Sequence, residues 1–303
     1  MKILMIGHSG SGKTTYMAGL FARMEGGVAS YSISHAMNWS SGFSSVNERY
    51  KSQKENLERL ATNLEKGVYP SGTDIHQEYN FYLKSTGEHS IPFDWYDYRG
   101  GALFEKTSFS KDVADLHNRI ITADAMIVFL DGNVLVQNSE KNIRQYQRLV
   151  YIINKAIGER NMQEEEYFPI SFVITKGDMH EDDNLFDCPG FNYFDNAIFS
   201  TIKNSTSVAA LTTITEVNKD NIFNVHFPLL FSVYHGLDSY ARRIVSDCEQ
   251  RLRDRSIFAD IGAALFGDDD KSAALAKLKS LDSNRSKIME MLNENNGQSL
   301  IMF

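Results

Sequence analysis

Lys2-Ile-Leu-Met-Ile6-Gly7-His-Ser-Gly-Ser-Gly12-Lys13-Thr14 is the stretch that decides the fold. KILMI is a short apolar run that stops at Gly7, as a buried central strand does. Gly7 to Thr14 then meets GxxxxGK[ST] at every fixed position, and a helix is predicted over 14–24, closed by Gly26 and Gly27. The chemistry needs this order. Glycines let backbone N–H groups converge on phosphate oxygens, and the helix N-terminus adds favourable dipole charge. Lys13 is placed to reach β- and γ-phosphates, and the Thr14 hydroxyl to coordinate Mg²⁺. Gly7, His8, Ser9, Gly10, Ser11, Gly12, Lys13, Thr14 and Thr15 are therefore candidate nucleotide-binding residues. A glycine-rich turn with a chance Lys-Thr does not account for a strand before the loop and a helix after it. The reading is a nucleoside triphosphate with Mg²⁺.

Working outward, residues 28–44 are rich in Ser, Gly and Asn and read as a long loop. A helix is predicted over 46–66, where Tyr50, Leu57, Leu60, Ala61 and Leu64 recur at helical spacing before Gly67. EYNFYLK (78–84) and IPFDWY (91–96) read as two strands of a hairpin. AMIVFL (125–130) and ISFVI (170–174) are continuous apolar runs, expected as strands covered on both faces. Between them, 139–157 puts Ile143, Tyr146, Leu149, Val150, Ile153 and Ile157 on one helical face. HFPLLFSV (226–233) reads as a last strand, and a helix from about Asp238 turns Tyr240, Ile244, Val245, Cys248 and Leu252 inward. The tail repeats the pattern with Leu275, Leu278, Leu281, Ile288 and Leu292. Strands alternating with helices predict an α/β fold of three layers with a mainly parallel sheet. The expected division is a nucleotide-binding domain over 1–255, with an insertion at about 28–72, and a helical extension over 256–303.

Composition narrows the classes. Of 303 residues, 42% are hydrophobic and 12% aromatic, enough to exclude global disorder. A net charge of −8 argues against a broad nucleic-acid footprint. Cys188 and Cys248 are two cysteines, too few for a disulfide framework, and read as buried thiols of a reducing compartment. The first apolar run is too short for a signal-peptide core, and no stretch approaches the ~18–20 apolar residues of a membrane helix. The expectation is a cytoplasmic protein without a membrane or nucleic-acid partner.

Two further segments occur in order. Asp97-Tyr-Arg-Gly100 follows a predicted strand and matches DxxG, and Thr175-Lys-Gly-Asp178 follows ISFVI and matches [NT]KxD. A carboxylate at Asp178 can accept from both guanine N1–H and the 2-amino group, whereas adenine offers no matching pair. With the phosphate loop, these motifs resemble P-loop GTPases of the translation-factor and Ras-like class over about residues 1–255. The resemblance implies a P-loop NTPase fold, GTP and GDP as ligands, and Mg²⁺ held by Thr14, Asp97 and a switch threonine, for which Thr73 is the choice. It further implies that Gly100 meets the γ-phosphate, that Lys176 packs over the base with Thr175 beside it, and that Ser232 and Val233 contact the base. The interval from Lys13 to Asp97, 97 − 13 = 84 residues, implies an inserted helix in the first-switch region. Gly-x-Tyr-Pro-x-x-Thr73 before an aromatic strand, then Asp97-x-x-Gly-Gly101, is similar to bacterial double-GTPase-type domains of conflict or defence systems.

The departures bear on mechanism. Gly101 stands where Ras-like enzymes often carry a water-orienting Gln, which implies slow hydrolysis. Arg99 has two readings: a charge-neutralising group acting in cis, alongside Lys13, Thr73 and Gly100 as catalytic candidates, or a solvated arginine. A protein partner or second protomer is the other source of the missing group. His8 is either a γ-phosphate neighbour or a plain loop histidine, Asp131 reads as a turn cap, and residues 180–183 as a solvated polar loop. A GTP-dependent switch leads. A P-loop ATPase or kinase, and a scaffold that binds nucleotide without turnover, are the alternatives.

Overall fold

The computed structural model describes residues 1–28, 31–35, 44–70, 77–85, 90–98, 111–137, 140–160, 167–180, 184–202, 208–253, 269–294 and 300–302. The chain opens with β1 (Lys2–Gly7), α1 (Lys13–Glu25), β2 (Tyr31–His35), α2 (Ser44–Glu65), β3 (Gln77–Ser85) and β4 (Ile91–Asp97). It continues through α3 (Lys111–Thr122), β5 (Ala125–Asp131), α4 (Gly132–Gln137), α5 (Glu140–Glu159) and β6 (Phe168–Thr175). It closes with α6 (Pro189–Ile202), β7 (Val208–Ile214), a small β8–β9 hairpin (Glu216–Val217, Ile222–Phe223), α7 (His226–Arg253), α8 (Asp269–Glu294) and β10 (Leu300–Met302).

Eight strands form one sheet in the order β10-β7-β6-β5-β1-β4-β3-β2. The five strands from β7 to β4 are parallel, while β3, β2 and β10 join antiparallel at the two edges. Continuous apolar strands suit this position because both faces are covered. Ile3, Met5, Ile127 and Phe129 point into a cluster shared with α1, α7 and α8. Leu4, Ile6, Met126, Val128 and Leu130 point the other way, into a cluster shared with α3, α5 and α6. The fold is a three-layer α/β P-loop fold. Among the described residues no helix is long and apolar enough to cross a membrane.

Several expectations are corrected. Residues 31–35 are a strand within the supposed loop: Tyr31-Ser-Ile-Ser alternates, burying Tyr31 and Ile33 against the core. HFPLLFSV is the start of α7, not a strand. Pro228 would cost a ladder bond in a central strand but is tolerated in a first helical turn. The last parallel strand is β7, VAALTTI, which the apolar-run reading passed over. On α7 and α8, Val245 and Leu275 face outward, at 41% and 59% exposure.

The tail contributes more than a helix. Leu281, Ile288 and Leu292 of α8 lie in the same cluster as β1, and β10 pairs with β7. The Tyr31 hydroxyl donates to the Asn284 carbonyl at 3.0 Å, tying β2 to α8. Ile288→Ala should therefore lower unfolding free energy by about 2–5 kcal/mol in a denaturant titration. Leu275→Ala should change it by no more than about 0.5 kcal/mol.

Candidate functional site

β1 pairs in parallel with β4 on one side and β5 on the other, so the strand order reverses at its C-terminal end, where an open sheet leaves a crevice. The phosphate loop sits there. A Cβ on Gly7 would lie 2.7 Å from Ser11 Oγ and 2.8 Å from Phe129 Cβ, so only glycine lets the loop turn this close to the sheet. Gly10 and Gly12 hold φ of 82° and 81°, a region other residues avoid. Lys13, the first residue of α1, donates from Nζ to the Gly7 and His8 carbonyls at 2.9 and 3.1 Å.

Asp97 ends β4 beside Met5 and is 1% exposed. Among the described residues neither of its carboxylate oxygens has a hydrogen-bond partner. Burial pushes its pKa up to about 6, against the opposing pull of Lys13. Burial also lowers the Lys13 ammonium pKa, with Asp97 raising it in part. A buried carboxylate without a partner among the described residues, and a Thr14 hydroxyl on the cavity wall, are group types that suit Mg²⁺, a hard cation that keeps several waters and takes one or two carboxylates plus phosphate oxygens. These residues fit that ion.

On the other side of the loop, the Thr175 hydroxyl lies 3.0 Å from the Ser11 carbonyl and 3.2 Å from that of Leu130. Lys176 takes left-handed backbone angles, φ 60°, and its Nζ lies 2.5 Å from Asp131 Oδ2. Asp178 follows in a short 3₁₀ turn and is half-buried. A Cβ on Gly177 would lie 2.6 Å from Ile214 Cγ2, and its N–H donates to the Thr215 carbonyl at 3.2 Å. The loops after β6 and β7 are thereby locked together.

Between these parts lies a cavity of about 260 Å³. Ser9, Gly10, Ser11, Gly12, Lys13, Thr14 and Thr15 line it from one side, and Thr175, Lys176 and Asp178 from the other. Tyr69 and Pro70 of the Gly-x-Tyr-Pro segment border it as well, as do Tyr16, Met179, Thr215 and Val217, which the sequence reading did not assign to the site. For Thr215 and Val217 a signal was present in VAALTTI followed by Thr-Glu-Val, a β-branched strand ending in a polar turn.

Other candidates lie elsewhere. His8 turns under the loop onto Tyr146, with ring centroids 5.8 Å apart, and burial lowers its pKa to about 4; its imidazole is not part of the cavity wall. Ser232 and Val233 are wholly buried within α7 rather than at a strand end. Ser232 Oγ donates to the Pro228 carbonyl at 2.7 Å, one helical turn back, so neither residue contacts a base here. Asp131 does cap a turn, accepting the Asn133 N–H at 3.0 Å. Thr73, Arg99, Gly100 and Gly101 lie outside the described residues, as do residues 181–183. Among the described residues no group of three or more His, Cys, Asp or Glu side chains gathers as a metal site.

No family model matches the chain, and no curated protein matches it. Solved structures do. The G domain of the T. maritima FeoB iron transporter aligns at 10% identity and a TM-score of 0.32, covering 72% of this chain and 87% of that one. A GTP-binding protein from Sulfolobus solfataricus in complex with GDP aligns at 12% identity and a TM-score of 0.37, covering 78% of this chain and 51% of that one. The S. cerevisiae Ski7 GTPase-like domain bound to GTP aligns at 9% and 0.38, covering 71% and 42%. The chain thus spans about half or less of the latter two. Likeness of this degree carries no functional inference.

The Asp97 environment generates a pH dependence. Its folded-state pKa of about 6 lies above the ordinary 3.8, so folding favours the protonated acid. The stability this group contributes is complete below about pH 3.8 and is lost as pH rises through about 6. Asp97→Asn should therefore stabilise the nucleotide-free protein at pH 8, by the order of 2–3 kcal/mol. The advantage should shrink markedly at pH 5, and thermal unfolding at the two pH values measures it.

Proposed function

We propose that the chain is a guanine-nucleotide-binding switch with slow, Mg²⁺-dependent hydrolysis of the GTP β–γ anhydride. The observation that supports this best is Asp178 sharing one cavity with the glycine loop and Lys13. A carboxylate there pairs with guanine N1–H and 2-amino donors, while the loop N–H groups and Lys13 take the phosphates. Thr14 and Asp97, with Thr73, are the groups proposed to hold Mg²⁺, which when bound would neutralise phosphate charge. Thr73 and Gly100 are the proposed sensors of the γ-phosphate, and Tyr69 and Pro70 bring the chain leading to Thr73 to the cavity edge.

Hydrolysis is proposed to be slow because Gly101 offers no side chain to orient water. Arg99, or a group from a protein partner or second protomer, would supply what is missing. The physiological setting we propose is a defence or regulatory system in a reducing, cytoplasmic compartment.

Denaturing the purified protein and identifying the released nucleotide should give GDP or GTP. In competition titrations GTP should outcompete ATP, and Asp178→Asn should move preference toward xanthine nucleotides by exchanging an acceptor for a donor. Lys13→Ala should weaken triphosphate binding about tenfold or more, through loss of a charge-assisted contact. ATP binding as tight as GTP binding would overturn the proposal.

A further inference from the structure

We infer that Asp131 and Asn133, in the turn that opens α4, are positioning residues that set the purine selectivity of the cavity by holding the 175–180 loop on both sides of Asp178. The inference rests on the guanine reading above and adds residues that no nucleotide-binding motif in the chain contains.

The grip has two points. On one side of Asp178, Lys176 Nζ lies 2.5 Å from Asp131 Oδ2. On the other, the His180 ring Nε2 lies 2.6 Å from Asn133 Oδ1. The turn that supplies both partners is fixed from behind. Asp131 stands opposite Thr175 in the β5–β6 register, and its Oδ1 accepts the Asn133 N–H at 3.0 Å. Gly132 between them has no room for a side chain, since a Cβ would lie 2.7 Å from the Thr175 carbonyl. The two loops can pack this closely only because that position is glycine.

The ion pair is set apart from an ordinary surface pair. The Asp131 side chain is 13% exposed, so screening by water is limited. Lys176 is one of two non-glycine residues with positive φ among those described, the other being Asn224. Such backbone angles are unfavourable for a lysine, and persist where the surroundings over-determine them.

The chemistry explains why the site would need Asp131. Lys176 stands two residues before Asp178, and an ammonium so near a carboxylate is drawn to it. Were it to pair there, it would occupy the oxygens needed by guanine N1–H and the 2-amino group. Asp131 engages the ammonium instead and leaves the Asp178 carboxylate to the base. Asn133 keeps the far end of the loop from swinging out.

The measure is the ratio of GTP to ITP affinity on the full chain, since ITP lacks the 2-amino group that Asp178 reads. Asp131→Asn keeps an acceptor for the Asn133 N–H but loses the charge, and should reduce this ratio about tenfold without loss of cooperative folding. Placed on Lys176→Met, which removes the competing ammonium, Asp131→Asn should leave the ratio at the value of Lys176→Met alone. A merely structural role would carry its defect into both backgrounds. An unchanged ratio in folded Asp131→Asn, or an undiminished effect in the Lys176→Met background, overturns the inference. Should Asp131→Asn fail to fold, Asn133→Ala decides: a ratio reduced about threefold supports the grip, and an unchanged one overturns it. A wild-type protein that does not favour GTP over both ITP and ATP fails the guanine reading itself, and the inference with it.

Discussion

Lys13 and Asp97 are buried together at the end of β1 and β4, and burial disfavours the charged form of each. Their mutual attraction offsets only part of the desolvation, since Asp97 remains raised to about 6 despite Lys13. Much of the surrounding structure serves this placement. Parallel strands on both sides of β1 bring the carboxylate and the loop to one edge, and Gly7 lets the loop close over them. Lys13 donates to the Gly7 and His8 carbonyls. Anionic oxygens would displace those weaker acceptors, and a cation would take up the Asp97 oxygens. The strain of an ill-compensated charge pair is thus what ligand binding would relieve.

The opposite wall depends on close backbone approach rather than on charge. Gly12 faces Thr175, where a Cβ would lie 3.2 Å from the threonine Cβ, and Gly177 lies against Ile214. The Thr215 N–H donates to the Ile174 carbonyl at 2.8 Å, closing the gap between β6 and β7. The loops after β1, β6 and β7 therefore behave as one rigid rim. Tyr69 and Pro70 form a further part of the wall, and Tyr69 is half exposed.

Much of this was legible in the sequence. KILMI and AMIVFL are apolar at both periods of a strand, which only a doubly covered strand tolerates, and the loop and TKGD followed such runs. HFPLLFSV shows where composition misleads. A helix buried on nearly all sides under a sheet is as apolar as a strand, and periodicity vanishes with its polar face. Misplacing that helix displaced the expected base contacts to Ser232 and Val233, because VAALTTI, with two threonines and two alanines, gave a weaker apolar signal than the helix after it. The pairing of Lys176 with Asp131 was equally hidden: residues 45 positions apart meet through sheet register, which no local pattern encodes.

Val217 connects the rigid rim to the inserted helix. It lines the cavity and also packs on Ala18, Leu60 and Leu64, so α2 rests on a residue of the cavity wall. A Cβ on Gly19 would lie 2.7 Å from Val217 Cγ1, so α1 gives way at that point to admit it. α2 then ends in a Schellman motif: the Gly67 N–H donates to the Leu64 carbonyl and the Val68 N–H to that of Asn63, each at 2.8 Å, with Gly67 at φ 71°. This stop directs Val68, Tyr69 and Pro70 back across the cavity mouth. One short apolar contact thus fixes the helix from which the Tyr69 wall departs, and the turn fixes its direction. A ligand that pushed on Tyr69 would meet resistance at Gly67, and one that shifted Val217 would move the base of α2. The insertion is in this way mechanically part of the cavity wall.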